Sequence, residues 1–171
     1  GAGLLQDADV VVHDGLVPSA LLDAVGCHAE RIPVPRTPEA GGDPGEETGL
    51  LLAGLAADGR MVVRLKGGDP SVFGRLSEEV RPLREAGCPF EIVPGVTAAV
   101  AAAAAAGMPL TSRSAASSLT IVTGHEADEK AESLDFSSLA GIPGTLAIYM
   151  GVEQAEKWSQ ALIQAGKPAS T

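Results

Sequence analysis

The sequence predicts an α/β fold built around a mostly parallel sheet, on three observations. Short β-branched runs such as Val10-Val11-Val12 alternate with longer helix-forming stretches, the pattern of βαβ units. Glycine or proline punctuates most junctions between them. Hydrophobic residues make up 45% of the chain but aromatics only 3%, so Ala, Leu and Val must fill a layered core.

The elements follow in order. Residues 8–13 form a buried strand that ends in a polar turn, and the chain enters it almost at once from Gly1. Residues 18–25 form a short helix with Pro18 at its start and Gly26 at its end. A second strand, 31–34, stops at Pro35, and the turn-rich stretch 37–45 forms an exposed loop. A helix over 46–57 carries acids in its first turn, which suits the positive end of the helix dipole. The strand 61–65 runs into Lys66-Gly67-Gly68-Asp69-Pro70 and a helix over 74–86 with Leu76, Val80 and Leu83 on one face. A strand at 90–93, a Pro94-Gly95 turn and a small-residue helix over 96–106 come next. Beyond the boundary region 107–117 lie strands at 118–123 and 145–149, an acidic loop at 126–135 and a helix at 152–165. The expected division is an N-terminal α/β domain, 1–110, and a partial C-terminal α/β domain, 111–171.

A net charge of −10 argues against nucleic-acid binding, which needs a basic footprint. Any anion site must therefore be local, and Arg60, Arg64, Lys66, Arg75, Arg81 and Arg84 do cluster along the chain. No apolar run is long enough to cross a membrane. Cys27 and Cys88 stand alone, which disfavours disulfides and structural zinc and suits buried free thiols in a reducing cytoplasm. Both ends are expected to be cut from a longer protein.

In parallel α/β sheets, ligands bind beyond the carboxyl ends of the strands. Three such ends carry polar or glycine-rich turns: His13-Asp14-Gly15, Gly67-Gly68-Asp69-Pro70 and Pro94-Gly95-Val96-Thr97-Ala98. On one edge they would present two carboxylates, a hydroxyl and bare backbone amides, a surface suited to a nucleoside with an amino-acid tail. Plainer roles exist for each: Gly67-Gly68 as a turn, Asp69 and Thr97 as helix caps, Asp14 as a turn residue. Neither a dinucleotide-binding nor a P-loop spacing is present. His125 has no second histidine or cysteine at ligand spacing, so no metal site is expected, and Ser112 and Ser114 do not form a nucleophile elbow.

From Val62 to Pro70 the chain resembles the tetrapyrrole methylases, in particular the uroporphyrinogen-III C-methyltransferases and the methylase half of sirohaem synthases. The resemblance continues through Phe73-Gly74-Arg75, Glu78-Glu79, 93–99, 107–111, Val122-Thr123-Gly124-His125 and Tyr149-Met150-Gly151. The Val-Thr-Gly-His run favours this branch over the cobalamin-ring methylases. The family implies a tetrapyrrole methylase-like fold, usually homodimeric, with S-adenosylmethionine (SAM) folded between two domains. It implies SAM contacts by Gly67, Gly68, Asp69, Val72, Thr97, Ala98 and Met150. The reaction implied is methylation of uroporphyrinogen III to precorrin-2, with no metal, in sirohaem or cobalamin biosynthesis. Asp14 matches the family's proton acceptor. Arg64, Arg75, Arg113 and Arg36 are candidates to pair with the substrate's carboxylates.

The departures concern the substrate side. Arg36 stands where a proton-donating lysine is expected, and an arginine keeps its proton at any ordinary pH. The loop 41–49 and Leu76-Ser77 differ from the family pattern, and Ser112 replaces a histidine. The family's first strand, with its glycine-rich loop, and the last strands of its second domain have no counterpart here, so weak SAM binding by these residues alone is expected. A methylase for another corrinoid precursor, or a non-catalytic relative, are the alternatives.

Overall fold

The computed structural model describes residues 1–35, 43–124 and 134–171. They pack into two compact units, Gly1–Thr97 and Ala98–Thr171. Packing thus divides the chain ahead of α5 (Ala98–Ala105), where the sequence suggested a division after residue 110.

The first unit contains α1 (Ala2–Asp7), β1 (Val10–Asp14), α2 (Ser19–Leu22), β2 (Glu30–Val34), α3 (Pro44–Ala57), β3 (Val62–Leu65) and α4 (Leu76–Glu85). Its three strands are parallel, in the order β2-β1-β3. The central strand explains the valine run: Val10, Val11 and Val12 are fully buried because helices cover both faces. Val10 and Val12 pack with Leu52 and Ala53 of α3 and Leu83 of α4. Val11 faces the other way, onto Leu5 of α1 and onto Val25. Pro33 lies in β2, an edge strand, where a missing N–H donor is tolerated.

Helices α3 and α4 make a close contact through Gly49. A Cβ there would lie 2.5 Å from the Glu79 carbonyl oxygen and 2.9 Å from Pro82 Cγ, so only glycine permits this approach. The approach fixes where Glu79, in the first turn of α4, sits over the sheet.

The second unit holds α5, the parallel pair β4 (Leu119–Thr123) and β5 (Thr145–Tyr149), α6 (Phe136–Gly141) and α7 (Ala155–Gln164). Val122, Leu139 and Leu162 form its core, with Trp158 packed against them.

Three expectations are corrected. The chain begins with a helix, α1, rather than passing directly into a strand. Residues 90–93 form no strand: flanked by Pro89 and Pro94, with Phe90, Ile92 and Val93 each more than a third exposed, the segment has β-branched character but no partner to pair with. Cys27 is exposed rather than buried, because it lies in the turn between α2 and β2; both cysteines are free. Among the described residues, no helix is long and apolar enough to cross a membrane.

Candidate active site

The site grows out of strand periodicity. Alternate residues of a strand share a face, so Val10, Val12 and Asp14 of β1 point the same way. In β3 the matching set is Val62 and Arg64, followed by Lys66, because Val10 pairs with Val62 and Val12 with Arg64. The apolar members of this face lie beneath α3 and α4. The polar members collect at the carboxyl end of the sheet, under the first turn of α4.

There Glu79, 4% exposed, organises the charges. Its Oε1 accepts hydrogen bonds from Arg64 Nε (3.2 Å), Arg64 Nη2 (3.0 Å) and Lys66 Nζ (2.6 Å). Arg64 Nη1 donates to the carbonyl oxygens of Leu65 (3.0 Å) and Val12 (3.4 Å). Arg64 Nη2 also lies 3.7 Å from Asp14 Oδ2. The other carboxylate oxygen of Asp14 accepts from the backbone N–H of Leu16 at 3.1 Å. Burial pushes the Lys66 ammonium below its usual range, and its hydrogen bond and attraction to Glu79 offset part of that.

Beside this cluster, β3 runs into the glycine loop. Gly67 and Gly68 are exposed, and Gly68 adopts a left-handed φ of 74°. Asp69 ties the loop down: Oδ1 accepts from the Ser71 backbone N–H (2.9 Å) and from the Ser71 hydroxyl, and Oδ2 accepts from Gly95 N–H (2.9 Å). These bonds, the Ser71 hydroxyl foremost, hold its carboxyl below the ordinary carboxylate range. A Cβ on Gly95 would collide with the Gly68 carbonyl oxygen. Asp69 is therefore no helix cap; α4 begins only at Leu76, after Arg75 at φ 53°. It joins the turn after β3 to the 94–97 segment and leaves the Gly67 and Gly68 amides bare. Val72 closes the loop, its N–H donating to Asp69 O at 3.2 Å.

Asp14, Gly67, Gly68, Asp69, Val72 and Thr97 thus belong to the first unit, with Asp14 and the glycine loop at the carboxyl ends of adjacent parallel strands. In the second unit, the Ala99 backbone N–H donates to the Tyr149 hydroxyl (2.7 Å), so the start of α5, with Ala98, adjoins the end of β5. Met150 follows there, 56% exposed and in a left-handed conformation (φ 53°). An exposed non-glycine residue held in that region is uncommon and clusters at ligand sites. Trp158 Nε1 donates to Gly151 O (2.8 Å) and fixes the turn after it.

The arginines separate. Arg64 is committed to protein partners on every N–H face, with only 14% of its side chain exposed. Arg75 is open, with Asp43 no nearer than 4.0 Å, and Arg113 is exposed in the second unit. Arg36 and His125 lie outside the described residues. The sequence pointed to Lys66 only among clustered basic residues and to Glu79 only within the family resemblance, and gave neither a role in the site. Glu79 lies 15 residues from Arg64, a separation no local rule joins; the period of two could have put Arg64 and Lys66 on one face, and the pairing of β1 with β3 adds Asp14 to it. Among the described residues, no group of three or more His, Cys, Asp or Glu side chains is placed to hold a metal ion.

All 171 residues match the model of the tetrapyrrole (corrin/porphyrin) methylases. The chain belongs to that family. It is 49% identical over its whole length to siroheme synthase 1 of Serratia proteamaculans, of which it spans 36%. It is 46% identical to the uroporphyrinogen-III C-methyltransferase of Paracoccus denitrificans, with 97% of this chain and 58% of that protein aligned. Among solved structures, the Thermus thermophilus uroporphyrin-III C-methyltransferase in complex with S-adenosyl homocysteine superposes with a TM-score of 0.75 at 34% identity, covering 98% of this chain and 69% of that one. A cobalt precorrin-4 methyltransferase superposes with a TM-score of 0.80 at 32% identity, covering 96% and 67%. The tetrapyrrole methylase-like α/β fold expected from the sequence is therefore the fold of this chain, although the chain spans about a third of the length of the siroheme synthases it matches.

Proposed function

We propose that the protein transfers methyl groups from SAM to uroporphyrinogen III, forming precorrin-2, as a cytoplasmic homodimer. The observation that carries this reading is the placement of Asp14 beside the Gly67–Asp69 loop at one edge of a parallel sheet. The near-half identity to siroheme synthases along the whole chain supports the substrate. Fold likeness alone does not choose it, since a precorrin-4 methyltransferase superposes equally well.

The site fits SAM by its chemistry. Bare amides at Gly67 and Gly68 suit the polar edges of a nucleoside and an amino-acid tail, and no neighbour lies within 4 Å of where a Gly67 Cβ would stand. Gly67, Gly68, Asp69, Val72 and Thr97 of the first unit are assigned to SAM on this reading; Ala98 and Met150, in the second unit, are SAM contacts by the family resemblance alone. SAM supplies a methyl made electrophilic by the sulfonium. The carbon–sulfur bond breaks as a pyrrole carbon forms the new carbon–carbon bond, leaving the neutral thioether S-adenosyl homocysteine. The macrocycle then sheds a proton, which Asp14 accepts through its carboxylate. Arg75 and Arg113, both exposed, are free to pair with substrate carboxylates, and Arg36 joins them rather than acting as a proton donor.

The test is to incubate full-length protein with uroporphyrinogen III and SAM, following S-adenosyl homocysteine and the absorbance of oxidised precorrin-2. Asp14→Asn should lower turnover by about 100-fold to 10,000-fold while S-adenosyl homocysteine still binds. No product from uroporphyrinogen III, with product from a later corrinoid precursor, would move the substrate to that alternative. Undiminished turnover by Asp14→Asn would remove the role given to this carboxylate.

A further inference from the structure

The geometry points to Glu79 and Arg64 as positioning residues for Asp14, a role that rests on the reading of Asp14 just given. The sequence made Arg64 a partner for substrate carboxylates. Such pairing is strongest when two parallel N–H groups of the guanidinium face one carboxylate. In Arg64 no such pair is spare: Nε and Nη2 meet Glu79, Nη1 meets two carbonyl oxygens, and only the remaining N–H of Nη2, which faces Asp14 at 3.7 Å, is left without a hydrogen bond. To take a substrate carboxylate through two N–H groups, Arg64 would have to leave Glu79, which would then keep Lys66 as its only charged partner.

The same contacts suit a different task. Asp14 is the last residue of β1, and a carboxylate at a strand end can rotate. One oxygen is pinned by Leu16 N–H; the other is faced by Arg64 at 3.7 Å, beyond hydrogen-bonding distance. Arg64 therefore leaves that oxygen open to accept a proton while biasing where it points. Arg64 in turn is held by Glu79, whose place is set by the Gly49 contact between α3 and α4. Lys66 on the same Glu79 oxygen balances the group: two cations, Arg64 and Lys66, against two carboxylates, Glu79 and Asp14. Within this group only Asp14 is assigned a proton-accepting role; Arg64, Lys66 and Glu79 act through it.

The experiment measures steady-state kinetics on full-length protein carrying Arg64→Lys, Glu79→Gln, Asp14→Asn, or the pair Arg64→Lys/Asp14→Asn. S-adenosyl homocysteine binding by calorimetry is measured for each, as a check on folding. A lysine keeps the charge of Arg64 but cannot reach Glu79, two carbonyls and Asp14 together. Displacing a reacting group by about 1 Å lowers a rate by about 100-fold. Arg64→Lys and Glu79→Gln should accordingly lower kcat by about tenfold to 100-fold, with KM for uroporphyrinogen III within about twofold of the parent. Adding Arg64→Lys to Asp14→Asn should lower the residual rate no further. A raised KM with kcat preserved would return Arg64 to substrate binding and overturn the inference, as would a further loss in the pair. If Glu79→Gln does not fold, Arg64→Lys decides alone. If Asp14→Asn itself leaves turnover intact, it is the proposed mechanism that fails, a result separable from a KM effect of Arg64.

Discussion

Replacing Gly95 by alanine tests the joint between the glycine loop and the segment that follows α4. A Cβ there would overlap the Gly68 carbonyl oxygen and lie 3.1 Å from Gly68 C and 3.4 Å from Asp69 Cα. All three are backbone atoms, so no side chain can rotate away, and the two segments must part by roughly 1 Å to restore ordinary contact. Overpacking of this kind destabilises by about 1–3 kcal/mol. At about 2–4 °C per kcal/mol for a chain of this size, Tm should fall by about 2–12 °C. Parting also lengthens the Gly95 N–H bond to Asp69, now 2.9 Å, and releases the bare amides of Gly67 and Gly68. S-adenosyl homocysteine should then bind at least about tenfold more weakly, about 1.4 kcal/mol. The control is Gly67→Ala, where a Cβ meets open space; its stability should change by less than about 0.5 kcal/mol, with affinity falling through the ligand contact alone. Thermal melts and calorimetry on full-length protein report both quantities. Equal melting of Gly95→Ala and the parent, or equal destabilisation by the two alanines, would refute the close packing of these loops.

Gly49→Ala should destabilise by about 1–3 kcal/mol in urea titrations, because its Cβ meets the Glu79 carbonyl and the Pro82 ring; an unchanged midpoint would mean that α3 and α4 can separate freely. Asp69 has a folded-state pKa below its ordinary value of 3.8, so its contribution to stability is present above that value and is lost as pH falls through the depressed one. Asp69→Asn should therefore flatten the acid limb of the stability curve below about pH 3.8, and superimposable limbs would contradict it. Trp158→Phe removes the donor to Gly151 O and should cost about 1 kcal/mol of stability, read as a lower Tm, with weaker S-adenosyl homocysteine binding if the Met150 turn shifts.

What was legible in the sequence was local. Three β-branched valines in a row, closed by a polar turn, read as a buried strand, and β1 is one, covered on both sides. The Gly67-Gly68-Asp69 loop announced itself by composition and position. Elements that depend on a partner were harder. Residues 90–93 have strand-like side chains, but a strand is a pairing and none forms. Helix α1 is too short for periodicity to signal, and α6 likewise, with six residues each. Cys27 was expected inside from its residue type, yet a turn put it outside.

The charges show the same limit from the other side. Glu78 and Glu79 are adjacent acids in the first turn of a helix, a setting that favours either through the helix dipole. Only Glu79 is buried, since neighbouring residues of a helix point about 100° apart. The close approach of α3 to α4 beside Glu79 depends on a missing side chain, at Gly49, on another helix. Removing the buried partner of two cations would cost about 3–5 kcal/mol, against at most about 1 kcal/mol for an acid in contact with solvent and, among the described residues, paired with no cation, as Glu78 is. Neighbouring residues of one chemical type thus differ severalfold in consequence. The carboxylate with the larger consequence is the one that orients the proposed proton acceptor, because the packing that buries it also aims Arg64 at Asp14.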